Sequence, residues 1–193
     1  MDIRTRILEA AAKVYAEVGY RGATTRRIAT EAGVNELTLF RHFGSKDVLI
    51  HEAIVCCGPE SKLFPLPEVP VDPYREVLDW AQLHFEAMRR HQSMIRTTIG
   101  ELEERPDLVR PQDPMSLAYE QLARYVGRLQ ADGRAATDLD PLCAGAMLLN
   151  ALLLNAIMRD VMPDKVCNPP AHDVEHFVRH FLRGIGLPAA ALA

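Results

Sequence analysis

Strand signals are nearly absent from this 193-residue sequence. No run of β-branched residues alternates with polar ones, and the one Asp-Gly pair, Asp132-Gly133, follows a helical stripe instead of joining two strands. A sandwich, barrel or parallel sheet is thereby excluded. Cysteine is scarce: Cys56, Cys57, Cys143 and Cys167, with no C-x-x-C pair. That argues against a structural zinc site or a disulfide framework and suits a reducing cytosol. The adjacent Cys56-Cys57 pair stands as a candidate thiol sensor beside the plainer reading of idle thiols. The most apolar run, residues 142–158, is interrupted by Asn150 and Asn155. It falls short of the ~20 residues of a membrane span and reads as a helix buried on several sides. The opening MDIRTRILEAAAKVYAEV is charged throughout, so no secretory signal is expected there. A cytoplasmic location follows as an expectation. Also missing are a nucleophile elbow, a Gly-rich phosphate loop and metal-ligand spacing with a general base. Hence neither an enzyme nor a bound cofactor is expected.

Nor is there an excess of one charge. Lys and Arg number 22 against 26 Asp and Glu, a net −4, so the molecule as a whole is no obvious polyanion binder. The distribution is uneven, however. Residues 1–50 hold eight basic against six acidic side chains, and the rest hold fourteen against twenty. Any nucleic-acid surface is therefore local and N-terminal.

What the sequence has is helical spacing, and a hydrophobic content of 48% supplies a core. Ile3, Ile7, Ala11, Val14, Tyr15 and Val18 recur at steps of three and four, and Gly19 ends that stripe. Thr24 or Thr25 caps a short second helix closed by Gly33, Asn35 caps a third that ends at Phe43-Gly44, and Ser45 caps a fourth to about Cys57. Residues 58–73 then hold five prolines in sixteen positions and break the helical texture. They read as a linker between a module of residues 1–57 and a domain of residues 74–193. Five further stripes follow. The expected fold is all-α with about nine helices: an N-terminal three-helix module with its connecting helix, then a C-terminal helical domain.

The functional signal lies in TTRRIATEAGVNELTLFRHFGSKDVL. Leu39 and Phe43, four residues apart, share one side of the third helix with Val34 and pack on Ile28 and Ala29. The same spacing sends Glu36, Leu37, Phe40 and Arg41 to the other side, with Thr38 and His42 at the edges. The turn Ala32-Gly33-Val34 between two short helices is the helix-turn-helix signature, and the major groove of B-DNA admits one such helix. Thr25, Arg26, Arg27, Asn35 and Lys46 are candidate supporting contacts, Lys46 because a helix start favours a phosphate. Glu36 suits either a cytosine amino group, as an acceptor, or a charge at the helix start.

On these residues the segment resembles the DNA-binding domain of TetR-family (tetracycline-repressor-like) regulators. The resemblance is carried by Thr25, Ile28, Ala29, Ala32-Gly33-Val34, Thr38-Leu39-Phe40, His42-Phe43 and Ser45-Lys46, with Ile7, Ala11, Tyr15, Gly19 and Tyr20 of the first helix. Two departures stand out: tyrosine is usual in the family where Phe40 stands, and a small residue where Leu37 stands. The resemblance implies a homodimer through the last two helices that binds a pseudo-palindromic operator. It also implies a C-terminal pocket for a small-molecule effector that releases the DNA. Candidate lining residues, mainly apolar, are Trp80, Phe85, Met88, Met94, Thr98, Met115, Tyr119, Leu122, Met147 and Asn150. The reading is a dimeric repressor released by a mainly apolar ligand. The alternatives are an activator, or a regulator answering to a thiol or a protein; a helical enzyme or ligand carrier is the remaining reading. His172, His176 and His180 lie at i, i+4 and i+8, but no converging carboxylate or cysteine completes a metal site, and none is expected.

Overall fold

The computed structural model describes residues 2–56, 65–110, 113–163 and 170–188, the side chains of 170–173 excepted. Among these, every regular element is helical: α1 (Ile3–Gly22), α2 (Thr25–Ala32), α3 (Glu36–Phe43), α4 (Lys46–Cys56), α5 (Pro73–Arg90), α6 (Gln92–Glu101), α7 (Pro114–Ala131), α8 (Pro141–Met158) and α9 (Pro170–Gly184), with a 3-10 turn at Pro106–Leu108. The all-α expectation of about nine helices therefore holds.

The chain divides into two compact units. The first combines Met1–Gly58 with His91–Asp113, and the second combines Pro59–Arg90 with Pro114–Ala193. The sequence reading gave α6 and the 3-10 turn to the C-terminal domain; packing gives them to the first unit instead. The reason is chemical. Met94 and Leu108 are buried in the same apolar cluster as Ile7, Tyr15, Leu39 and Ile50. The Tyr15 hydroxyl, wholly buried, lies 3.2 Å from Thr98 Oγ1. Since Thr98 Oγ1 already donates to the Met94 carbonyl, Tyr15 is the donor of that bond. Burial pushes the Tyr15 phenol up to about 12, so it stays a donor across the physiological range.

Helix ends in the first unit follow their caps. Thr24 accepts from Arg27 N, Asn35 from Leu37 N and Thr38 N, and Ser45 Oγ from Val48 N. Each satisfies backbone donors that an isolated helix start leaves open. Gly33 closes α2 at φ 64°, ψ 38°, the left-handed region that side chains with a Cβ avoid. Gly19 breaks α1 at φ 67°, as expected, but the backbone resumes one more helical turn to Gly22.

In the second unit α7 and α8 pair closely, and α5 packs on α8 and α9. Val77, Trp80, Leu122, Leu149, Val178 and Leu182 are all buried there. Part of the proline-rich segment belongs to this unit: Leu66 is buried, and Arg128 and Arg134 donate to the carbonyls of Pro67 and Pro70 at 2.7 and 2.8 Å. Residues 58–64 of the expected linker lie outside the described residues. Helix α8 has eight buried positions, yet Leu142, Met147 and Leu154 are 54%, 74% and 59% exposed. Against the expectation of a run too short for a membrane span, α8 is by length and composition alone a candidate span, with less than half of it buried.

Candidate nucleic-acid interface

The centre of the first unit is α3, eight residues long. Leu39 and Phe43 are its buried positions and tie it to the core. Its outer side carries Leu37, 66% exposed, Phe40, 43% exposed, and the exposed Arg41 and His42. Leu39 and Phe43 are buried and Leu37, Phe40 and Arg41 exposed as their spacing predicts, whereas His42, expected at the edge, is exposed and Glu36, expected on the open side, is half-buried. An apolar side chain left in water on so short a helix is held out by its partners at i+2 and i+3, not by any affinity for solvent.

Several contacts fix the angle at which α3 is presented. Arg6 Nη2 donates to Ala32 O at 2.6 Å and so pins the α2–α3 turn to α1. Val34 N donates to Ala29 O at 3.0 Å. Thr25 Oγ1 donates to Glu36 Oε2 at 2.7 Å, which joins the start of α2 to the start of α3 and orients the carboxylate.

The candidate contacts sort by what already occupies them. Arg26 and Arg41 are exposed and have no ion-pair partner among the described residues. Arg27 lies 3.2 Å from Glu17, an exposed pair of small worth in water. Asn35 spends its side-chain oxygen on two backbone N–H groups, at 2.6 and 3.2 Å. Lys46 departs most from expectation. The expected phosphate contact is already engaged within the protein: its ammonium donates to Tyr20 O and sits 4.0 Å from the centre of the Tyr20 ring. Burial there lowers its pKa. Thr38 is half-buried.

Sequence reasoning missed the group that surrounds Tyr20. Two cations approach the Tyr20 ring, Lys46 at 4.0 Å and Arg105 at 3.9 Å from its centre. Its hydroxyl donates to Asp47, which also accepts from Arg105 Nη2 at 2.7 Å. Arg105 grips Asp107 through Nε and Nη2 at 2.9 and 2.7 Å. That pairing holds the Asp107 carboxyl at about 2. Tyr20 N donates to Glu101 Oε1 at 2.6 Å. The segment after α6 is thus fastened to the break in α1 and to the start of α4. Tyr20 and Arg105 are too far apart in sequence for any local spacing to have revealed this.

The ten candidate pocket residues are not brought together. Met94 and Thr98 are buried in the first unit. In the second, Trp80, Phe85, Met88 and Leu122 are buried, Met115 is half-buried, and Tyr119 donates to the Asn150 amide oxygen near the surface. Met147 instead lines a groove of about 460 Å³ between α8 and α9, with Leu139, Cys143, Phe177, His180 and Phe181. A further residue escaped the sequence reading: His84, 1% exposed, stacks on Trp80 with ring centres 3.9 Å apart. Its Nδ1 donates to Trp80 O at 2.9 Å, while Nε2 is buried without a hydrogen-bond partner. Burial lowers its pKa, so the ring is neutral.

Among the described residues no three His, Cys, Asp or Glu side chains converge on a metal position. The His172 side chain lies outside them, and His180 Nδ1 donates to His176 O at 2.7 Å. Cys56 and Cys143 are free and exposed, with thiol pKa values raised, by burial at Cys56 and by the hydrogen bond to Asp140 at Cys143. A raised pKa disfavours the thiolate that a redox sensor needs. Cys57 and Cys167 lie outside the described residues.

Residues 7–53 match the family model described as bacterial regulatory proteins, tetR family. An uncharacterized helix-turn-helix transcriptional regulator of Bacillus subtilis is 31% identical over 96 residues, half of each chain. The repressor AcnR of Corynebacterium efficiens is 46% identical over 49 residues, about a quarter of each. The chain thus spans half or less of the length of these relatives. In fold the likeness extends further. The crystal structure of TylP, a tetR regulator from Streptomyces fradiae, superposes with a TM-score of 0.72 at 22% identity, over 98% of this chain and 89% of that one.

Proposed function

We propose that this chain, whose residues 7–53 match the tetR-family model and whose fold is similar to that of a tetR regulator, acts as a dimeric transcriptional repressor in the cytoplasm. The carrying observation is α3, which is closed on one side by Leu39 and Phe43 and open on the other with Leu37, Phe40 and Arg41. In this reading α3 enters the major groove and reads bases, while Arg26, Arg27 and the start of α2 meet phosphates. Asn35 and Lys46 act by holding the head in shape, Asn35 as a cap and Lys46 through Tyr20.

Two heads are needed, because a pseudo-palindrome presents two half-sites about one helical turn apart. The exposed apolar positions of α8, with the groove against α9, support a second copy as the occupant of that face. Effector release calls for a ligand with different affinity for the two shapes of the protein, a coupling of roughly 1–3 kcal/mol. The buried aromatic pair Trp80–His84 supports the second unit as its site. The experiment is footprinting on the promoter beside the protein's own gene. Protection of an inverted repeat by the full chain is expected; equal binding to all sequences at every salt concentration refutes the reading.

A further inference from the structure

Leu37 and Phe40 are exposed apolar side chains three residues apart on α3, with the exposed Arg41 four residues after Leu37 on the same helix and without an ion-pair partner among the described residues. Glu36, beside them, is already held by Thr25. We propose that Leu37 and Phe40 are specificity-determining residues that read the C5-methyl groups of two thymines in each half-site. This rests on α3 being the groove-reading helix, and adds which atoms it reads.

Thymine is the base that offers an apolar group in the major groove, and neither an alkyl chain nor a phenyl ring can accept or donate there. A phenyl ring has no hydroxyl to offer a phosphate, which leaves van der Waals contact as its mode of recognition. The open Arg41 guanidinium beside the apolar pair suits a polyanion. The geometry limits the pattern. Side chains three apart on a helix have Cβ atoms about 5–6 Å apart. Successive base pairs rise about 3.4 Å. The two methyls therefore belong to thymines one or two steps apart, and the inverted repeat carries them twice.

The test uses the full chain and duplexes selected by it from a randomised pool. The selected duplex is remade with deoxyuridine at one thymine at a time, which deletes the methyl and nothing else. Binding is expected to weaken about fourfold at each of two positions per half-site, the factor for one buried methyl-sized group, and to be unchanged elsewhere. Leu37→Ala is expected to abolish the effect at one position and Phe40→Ala at the other, while Phe40→Tyr keeps both. Thermal melts check that the variants fold; if either does not, the wild-type scan alone decides. A selected palindrome indifferent to every uracil overturns the proposal and leaves repression standing. So does equal sensitivity in wild type and both alanine variants. Failure to enrich any palindrome removes the groove-reading premise itself.

Discussion

Asn35 sits where capping and DNA reading are easily confused, and its replacement separates the two. Its side-chain oxygen accepts from Leu37 N at 2.6 Å and from Thr38 N at 3.2 Å. Asn35→Ala leaves both donors to water. Helix α3 has only eight residues, too few to persist by propensity, so its hold on the core through Leu39 and Phe43 keeps it formed. The loss is then that of an N-cap, about 1 kcal/mol within a range of roughly 0.5–2. Asn35→Ser restores an acceptor of nearly equal strength, so its stability is expected to return to within a few tenths of a kcal/mol of wild type. Urea denaturation followed by circular dichroism reads both variants at unchanged slope. Operator titration supplies the second axis. If Asn35 only caps, Ser recovers affinity together with stability. If it also touches DNA, Ser recovers stability alone. An alanine variant as stable as wild type refutes the reasoning, as does a serine variant that loses as much as the alanine one.

Tyr15→Phe deletes the donor to Thr98 that joins α6 to α1. It is expected to cost about 1 kcal/mol, read by the same denaturation. Gly33→Ala forces a Cβ into the left-handed region and to 3.3 Å from Arg6 Nη2, whose bond to Ala32 O sets the turn. A loss of roughly 1–2 kcal/mol is expected, with weakened operator binding. His84 is held below its ordinary value of 6.5 in the fold, so the unfolded chain binds the extra proton. Stability is therefore complete above about 6.5 and declines as pH falls from there toward the folded pKa. His84→Gln is expected to flatten melting curves in that window, and an unchanged pH slope counts against it. Asp107, held at about 2 by Arg105, works the same way lower down. Its contribution is present above about 4 and lost toward pH 2, and Asp107→Asn is expected to remove that acid step.

Most of the head was legible because its rules are local. Thr24, Asn35 and Ser45 cap the helices that follow them, Gly33 takes the left-handed turn, and Leu39 with Phe43 marks the buried side of α3. Each is decided within about four residues, a span over which backbone sterics and helical spacing settle the outcome alone. What the sequence could not supply was which distant groups would meet. Lys46 reads as a phosphate contact until Tyr20 is placed beneath it. Arg105 and Glu101 are ordinary surface charges until α6 folds onto α1. Met94 and Thr98 carry the same helical stripe as true residues of the second unit, yet they complete the core of the first. A stripe shows that a side will be buried but is silent on the partner, because many surfaces bury apolar area equally well. Only the folded chain, closing over some eighty residues between Tyr20 and Arg105, chose among them.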